Sequence, residues 1–154
     1  MEHHNRAAST EERLSRIYWD AMVFIYLIED HPKFGASVGR IYERMRKRQD
    51  TLYTSVFTLG EALIGPVKAR DAILANKMRT AFRGDDVSLL PFLPSTAEMY
   101  ANIRVSLPVK SPDAIHLATA AEANVDIFLT NDKHLHRLTI PGIQFIAGLD
   151  GVVF

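Results

Sequence analysis

No cysteine occurs among the 154 residues, which excludes disulfides and thiolate zinc sites and fits a reducing compartment. Charge of either sign is not in excess. The 18 Lys and Arg cancel the 18 Asp and Glu, so composition argues neither for nor against a nucleic-acid partner. Long apolar runs are missing too. The longest, Ala21 to Ile28, falls far short of the ~20 residues that span a bilayer. The opening MEHHNRAASTEERLS is polar and lacks the apolar segment of a secretory signal. No membrane association is expected, and the cytoplasm is the expected location. Internal repeats and low-complexity tracts are absent, and the length suits one domain with a real core. His3 and His4 read as tail residues rather than metal ligands.

What is present alternates between strand and helix patterns. Ser9 and Glu12 have capping-box spacing, so a short helix or ordered tail is expected before the first strand. That strand is expected over Arg16–Trp19. Asp20 then opens a helix to about Glu29, which His31-Pro32 ends. A second helix is expected from Phe34 to Lys47, with Val38, Ile41, Tyr42 and Met45 at helical spacing. Thr51–Phe57, rich in β-branched and aromatic residues, reads as a strand. The helix bearing Glu61 is expected to stop near Gly65-Pro66, and another to cover Val67–Phe82, where Gly84 ends it. Val87–Phe92 reads as a strand. Ser95 and Glu98 form a capping box for a helix to about Val105. Ser111-Pro112-Asp113 reads as a capping Ser, a Pro at the first helical position and an acid in the first turn. That helix is expected to reach Ala123, with Asn124 in the left-handed position. Asp126–Thr130 reads as a strand, Asp132–Leu138 as a short helix and Gln144–Ile146 as a last strand. Such alternation predicts an α/β fold: a three-layer αβα sandwich around a central parallel five-stranded sheet.

Within this frame four acids fall where strands give way to helices: Asp20, Glu61, Asp113 and Asp132. Each has a bland explanation. Asp20 and Asp132 can cap helices, Glu61 completes a capping box with Thr58, and Asp113 is well placed against its helix dipole. Jointly they say more. Helices that follow parallel strands begin at one sheet edge, where open α/β sheets bind ligands. Carboxylates converging there repel one another unless a hard divalent cation neutralises them.

The segments IYWDAMVFIYLIE, TSVFTLGEAL, SPDAIHLATAAE and IFLTNDKHL resemble, in order and spacing, the four motifs of PIN-domain ribonucleases. They look most like VapC-type toxins of bacterial and archaeal toxin–antitoxin pairs. The likeness covers the chain from Arg16 onward, dividing it into an N-terminal extension, 1–15, and a PIN domain, 16–154. The resemblance implies that Asp20, Glu61 and Asp113 are the core metal-binding catalytic acids. Asp132 is the fourth, more variable one, and Thr130 the polar residue beside it. It also implies Mg²⁺ or Mn²⁺, an RNA substrate, a homodimer and a cognate antitoxin. Two features depart from the pattern. Such toxins usually begin almost at the first strand, and the connection from Ser106 to Ser111 is compact.

Other residues carry smaller expectations. His116, one turn after Asp113, reads as a structural or ligand-supporting residue rather than a base. His134 and His136 read as surface residues near the mouth of the site. The basic runs Arg40–Arg48 and Lys68–Arg83 read as solvated faces. Phe24, Tyr26, Leu27, Ile28, Phe34, Ile41 and Tyr42 are more large apolar residues than one core needs, so an interface is expected there. Tyr26 is a candidate for both core and antitoxin groove.

Competing functions stay open at this stage. A phosphatase of the haloacid-dehalogenase kind, with Asp20 as nucleophile, lacks its usual second acid two residues on, where Met22 stands. A housekeeping PIN nuclease and a non-catalytic PIN-like RNA- or protein-binding module are the remaining alternatives.

Overall fold

A computed structural model describes residues 14–151 of the chain. The expected helix or ordered tail at Ser9, and almost all of the expected extension, lie outside the described residues. Ser15 is already tied to the fold: its N–H donates to Asp50 Oδ1 (2.9 Å) and its carbonyl accepts from Thr51 N (2.9 Å).

The elements are β1 (Arg16–Trp19), α1 (Ala21–Ile28), α2 (Gly35–Arg48), β2 (Thr51–Ser55), α3 (Val56–Lys68), α4 (Ala72–Arg83), β3 (Val87–Leu90), α5 (Pro94–Ser106), α6 (Ser111–Glu122), β4 (Ile127–Leu129) and β5 (Phe145–Ala147). All strand pairs are parallel, in the order β3-β2-β1-β4-β5. The expected αβα sandwich is therefore present. β1 lies in the middle of the sheet, which builds outward through β2 and β3 and then returns to add β4 beside β1. That reversal between β1 and β4 opens the crevice in which doubly wound sheets bind ligands.

A parallel sheet is buried on both faces, so β1 needs no polar alternation. Ile17, Tyr18 and Trp19 are all fully buried. Successive side chains nevertheless point to opposite faces. Ile17 and Trp19 pack with Val23, Phe24, Val38, Met78 and Phe82 from α1, α2 and α4. Tyr18 and Phe128 pack with Leu117, Ala118 and Ala121 of α6 and with Ile103 of α5. Tyr18 stacks on Phe128 with ring centroids 5.1 Å apart. The alanines of α6 let its backbone lie close to the sheet, which carries Asp113 and His116 to the crevice.

Several boundaries differ from expectation, for local reasons. Ser55, not Thr58, caps α3: its Oγ accepts from Thr58 N (3.2 Å), and Thr58 Oγ1 lies 3.4 Å from Ser55 N. β2 therefore stops at Ser55, and Glu61 stands in the second turn instead of closing a capping box. Gly65-Pro66 does not end α3 either. The helix runs on through buried Pro66 to Lys68, although proline there forgoes the bond to the Ala62 carbonyl and its ring crowds that group, and Arg70 then takes a left-handed φ of 53°. At α5 the cap position is Leu93, with Pro94 in the first turn and Thr96 Oγ1 accepting from Leu93 N (3.1 Å). Ser95 instead bonds Glu122. Lys110 occupies the cap position of α6, one residue before the expected Ser111. Asn124 does adopt the left-handed conformation, with φ 52°.

The expected helix Asp132–Leu138 is a run of turns. Leu135 N, His136 N and Leu138 N bond the carbonyls three residues back, and Asp132 Oδ1 accepts from His134 N (3.0 Å). An aspartate bonding two residues ahead starts a turn in competition with a helix. The apolar surplus of the first two helices also goes elsewhere than expected. Phe24, Tyr26 and Ile41 are buried, and Leu27, Ile28, Phe34 and Tyr42 pack against the same core. The large apolar residues left in solvent include Val56, Ile64, Val67 and Ile73, on α3 and α4.

Gly142 closes the turn before β5 with φ 95°, and a Cβ there would lie 2.5 Å from the Ala121 carbonyl oxygen. Gly142→Ala is thus expected to destabilise the protein by about 3 kcal/mol, combining backbone strain with a backbone clash. A urea unfolding curve measures it; an unchanged midpoint would contradict this placement.

Candidate active site

The four acids come from segments that meet at the carboxyl edge of the sheet. Asp20 follows β1 and caps α1, with Oδ1 accepting from Val23 N (3.3 Å). Its amide donates to the Leu129 carbonyl (3.2 Å), which fixes it beside the end of β4. Glu61 projects from α3, after β2. Asp132 follows β4, and Asp113 enters from the first turn of α6. All four line one cavity of about 500 Å³.

Hydrogen bonds hold two of the acids in place. Thr130, fully buried just after β4, donates its hydroxyl to Asp20 Oδ2, and Thr130 Oγ1 in turn accepts from Asp132 N (3.1 Å). One hydroxyl therefore links Asp20 to the Asp132 turn. His136 Nε2 lies 2.9 Å from the Thr130 carbonyl. It is half-buried, contrary to the expectation of a surface residue, and Gly148 makes room for it: a Cβ there would come within 2.7 Å of the imidazole. His134 is exposed, as expected.

The second support runs through His116, which is buried beneath Glu61. Nε2 bonds Glu61 Oε1, and Nδ1 lies 2.8 Å from the Tyr18 hydroxyl. An ionised carboxylate only accepts, so Nε2 carries the hydrogen in that bond. The Tyr18 hydroxyl also donates to Ser55 Oγ at 3.1 Å and lies 3.4 Å from Thr58 Oγ1. Burial pushes the Tyr18 phenol up to about 12, which keeps it neutral within this network. The expectation for His116 was a structural or ligand-supporting residue, and it is buried and bonded to Glu61. Sequence reasoning missed Tyr18, Ser55 and Thr58, whose sequence signal was only that of a strand end, and Asn131, which lines the cavity and donates to Tyr26 OH (3.3 Å).

Electrostatics at the site are strained. Burial raises Asp20 above the ordinary carboxylate range, opposed by the Thr130 hydroxyl, the His116 charge and the Val23 and Met22 amides. Asp113 is raised first by burial, then by the Asp132 charge, with His116 opposing, Glu61 adding to the rise and Lys110 opposing it. At Asp113 the neighbouring positive groups, His116 and Lys110, do not outweigh burial and the Asp132 and Glu61 charges. Among the described residues, no three His, Asp or Glu side chains already stand close enough to enclose an ion. The direct bonds Glu61–His116 and Asp20–Thr130 account for part of this, since each commits one carboxylate oxygen to a protein donor. The donor chemistry still suits a hard cation. Every acid offers oxygen, and no sulfur competes.

The sequence matches the family described as PIN domain over residues 17–141. The chain belongs to the PIN domain family. Solved structures share its fold. A Rickettsia felis VapBC2 complex bound to a promoter DNA fragment matches with TM-score 0.69 and 20% identity, over 86% of this chain and 98% of that one. A toxin–antitoxin complex from Klebsiella pneumoniae matches with TM-score 0.65 and 21% identity, over 82% and 94%. Mycobacterium tuberculosis VapC20, described as a sarcin–ricin loop cleaving toxin, matches with TM-score 0.59 and 14% identity, over 73% and 86%. Among curated proteins, no sequence matches at a significant level. At these identities the solved structures show the PIN fold alone. No helix among the described residues is long and apolar enough to cross a membrane.

Proposed function

We propose that this PIN-domain protein, over residues 16–154, is a Mg²⁺- or Mn²⁺-dependent endoribonuclease and the toxin of a toxin–antitoxin pair. One observation carries the nuclease reading: Asp20, Glu61, Asp113 and Asp132 come from four separate segments to one cavity at the switch point of the sheet. Family membership and the fold shared with VapC structures support it.

In this reading Asp20, Glu61 and Asp113 hold the cation, with Asp132 as a fourth, weaker ligand. When bound, the ion supplies Lewis-acid polarisation of the phosphodiester and activation of water near neutral pH. The protein's own contribution is orientation. Thr130 fixes Asp20, and the Tyr18–His116 pair fixes Glu61, so that neither acid turns away from its neighbours. Such supporting bonds typically matter ten- to a hundredfold, roughly, for metal affinity or activity. The test is Mn²⁺-dependent cleavage of cellular RNA by the purified full chain.

Partners follow the same reading. Ile64 and Met22 are exposed apolar residues that line the acid cavity, and Val67 continues the apolar face of α3. An antitoxin covering them would bury this apolar surface while meeting the acids with a basic side chain. A homodimer is part of the same proposal. Pull-down with the product of a neighbouring small gene is expected to yield a complex without RNase activity.

Asp132 is expected to matter less than the other three, because it matches the more variable fourth position of the family resemblance and its Oδ1 serves the turn to His134. Asp132→Asn is expected to weaken the apparent Mn²⁺ affinity by roughly tenfold and to keep partial activity. Titration of activity against Mn²⁺ decides this, and an unchanged affinity would confine Asp132 to its turn.

A further inference from the structure

The acids separate two cavities, and the two differ in charge. The larger contains, among basic side chains, only His116, which is engaged by Glu61. A second cavity, of about 300 Å³, shares Asp113 and Asp132 with it and is otherwise lined by Pro108, Val109, Lys110, His134, Leu135 and Leu138. Among the described residues lining the two, Lys110 alone carries a fixed positive charge. It directly precedes α6, and its charge opposes the rise in the Asp113 pKa.

The basic run Arg40–Arg48 is no substitute. α2 leads into the start of β2, so Arg46, Lys47 and Arg48 end at the opposite sheet edge. There Arg46 lines a different cavity with Asp85 and Asp86. A polyanionic chain approaching four carboxylates therefore meets repulsion on the larger-cavity side and a cation on the smaller. The smaller also offers apolar walls at Val109, Leu135 and Leu138. Its His134 ring hangs from a turn whose amide is fixed to Asp132 Oδ1 at 3.0 Å. Its volume lies at the lower limit of ligand pockets, a size for one nucleotide rather than a duplex.

Resting on the nuclease reading above, we propose that this second cavity is the subsite for the nucleotide next to the cleaved bond. Lys110 contacts the flanking phosphate, and His134 with the apolar wall receives sugar and base. The larger cavity is left to the scissile phosphate and the other side of the strand. Because the Lys110 contact is to backbone phosphate, it is independent of sequence.

The probe is a fluorescein-labelled pool of random-sequence 12-nucleotide single-stranded RNA. Anisotropy measures its binding to the full chain in Mn²⁺, with Asp20→Asn present in every sample to suppress cleavage. Added Lys110→Ala is expected to weaken binding roughly fivefold, the upper range for one exposed ion pair. It is also expected to reduce the slope of log K against log salt by about 0.7, the value for one single-strand phosphate. Lys110→Arg should restore both. Lys47→Ala, the same charge change at the far edge, should alter neither. Lys110 and Lys47 are exposed, so these variants are expected to fold, and their melting temperatures verify it. An unchanged salt slope in Lys110→Ala, or failure of Arg to restore it, overturns the subsite. Cleavage of total cellular RNA by wild type, run alongside, separates the two ideas. If wild type cleaves while the subsite arm fails, the nuclease reading stands. If wild type does not cleave and the Asp20→Asn protein does not bind RNA, both fall.

Discussion

Asp20→Asn is expected to lower RNA cleavage by at least ~100-fold without disturbing the fold. The change removes charge at nearly constant volume, and Asn is as good a helix cap as Asp. Its carbonyl can still accept from Val23 N, so α1 should start at the same residue. Glu61→Gln and Asp113→Asn are expected to cause losses of the same order. Glu61→Gln additionally keeps an oxygen that can face His116 Nε2, which isolates the effect of charge from that of position. Rates at saturating Mn²⁺ with matched circular dichroism check all three. Full activity in a pure Asp20→Asn protein would remove Asp20 from the site.

The second large effect is on stability, and its sign follows from the pKa directions. Folding raises the pKa of Asp20 and Asp113. The fold thus favours their protonated forms, a stabilisation that is complete below the unfolded-state values and lost as pH rises through the folded-state ones. At neutral pH without metal, both positions oppose folding. Asp20→Asn and Asp113→Asn are accordingly expected to melt above wild type when metal is absent. With metal the order reverses. At a concentration 100-fold above its Kd, an ion bound only by the native state adds about 2.7 kcal/mol. For a domain of this size that raises the melting temperature by roughly 5–10 °C. Asp20→Asn should show a much smaller rise, and the wild-type rise should shrink as pH falls and protons compete for the same oxygens. Differential scanning fluorimetry with Mn²⁺ and EDTA reads both effects. A wild type that melts identically in the two would contradict a metal site at these acids.

Three of the acids were legible because each stands at a junction that composition marks, whereas Glu61 lies in the second turn of its helix. Asp20 separates a run of fully buried residues from a helix, Asp113 follows Pro112, and Asp132 follows a strand and Thr130. Parallel topology then does the rest, since it puts all such junctions on one edge. Boundaries were less legible where two local signals competed. Ser55 and Thr58 both offer a capping hydroxyl, and the choice fell to Ser55, whose backbone is extended at φ −118°, ψ 162°. Gly65-Pro66 looks like a stop, yet the helix continues through Pro66, which is buried, to Lys68 despite the lost hydrogen bond. Asp132 has the right residue type for a cap, but its bond to the His134 amide makes a turn. The support beneath the acids was the least visible. Tyr18, Ser55, Thr58 and His116 are 98 residues apart at their extremes, and only the β1–β2 pairing with α6 above brings them together. His136 was misread as surface because nothing in the sequence reveals that Gly148 leaves space for its ring.

The central claim, that these four acids hold a divalent ion which the protein needs to cut RNA, has one most direct measurement. Purified wild type is stripped with EDTA, incubated with cellular RNA, and then supplied with excess Mn²⁺ in the same tube. Expected is no cleavage in EDTA and full recovery on Mn²⁺, with Asp20→Asn silent throughout. Cleavage that continues undiminished in EDTA would contradict the account.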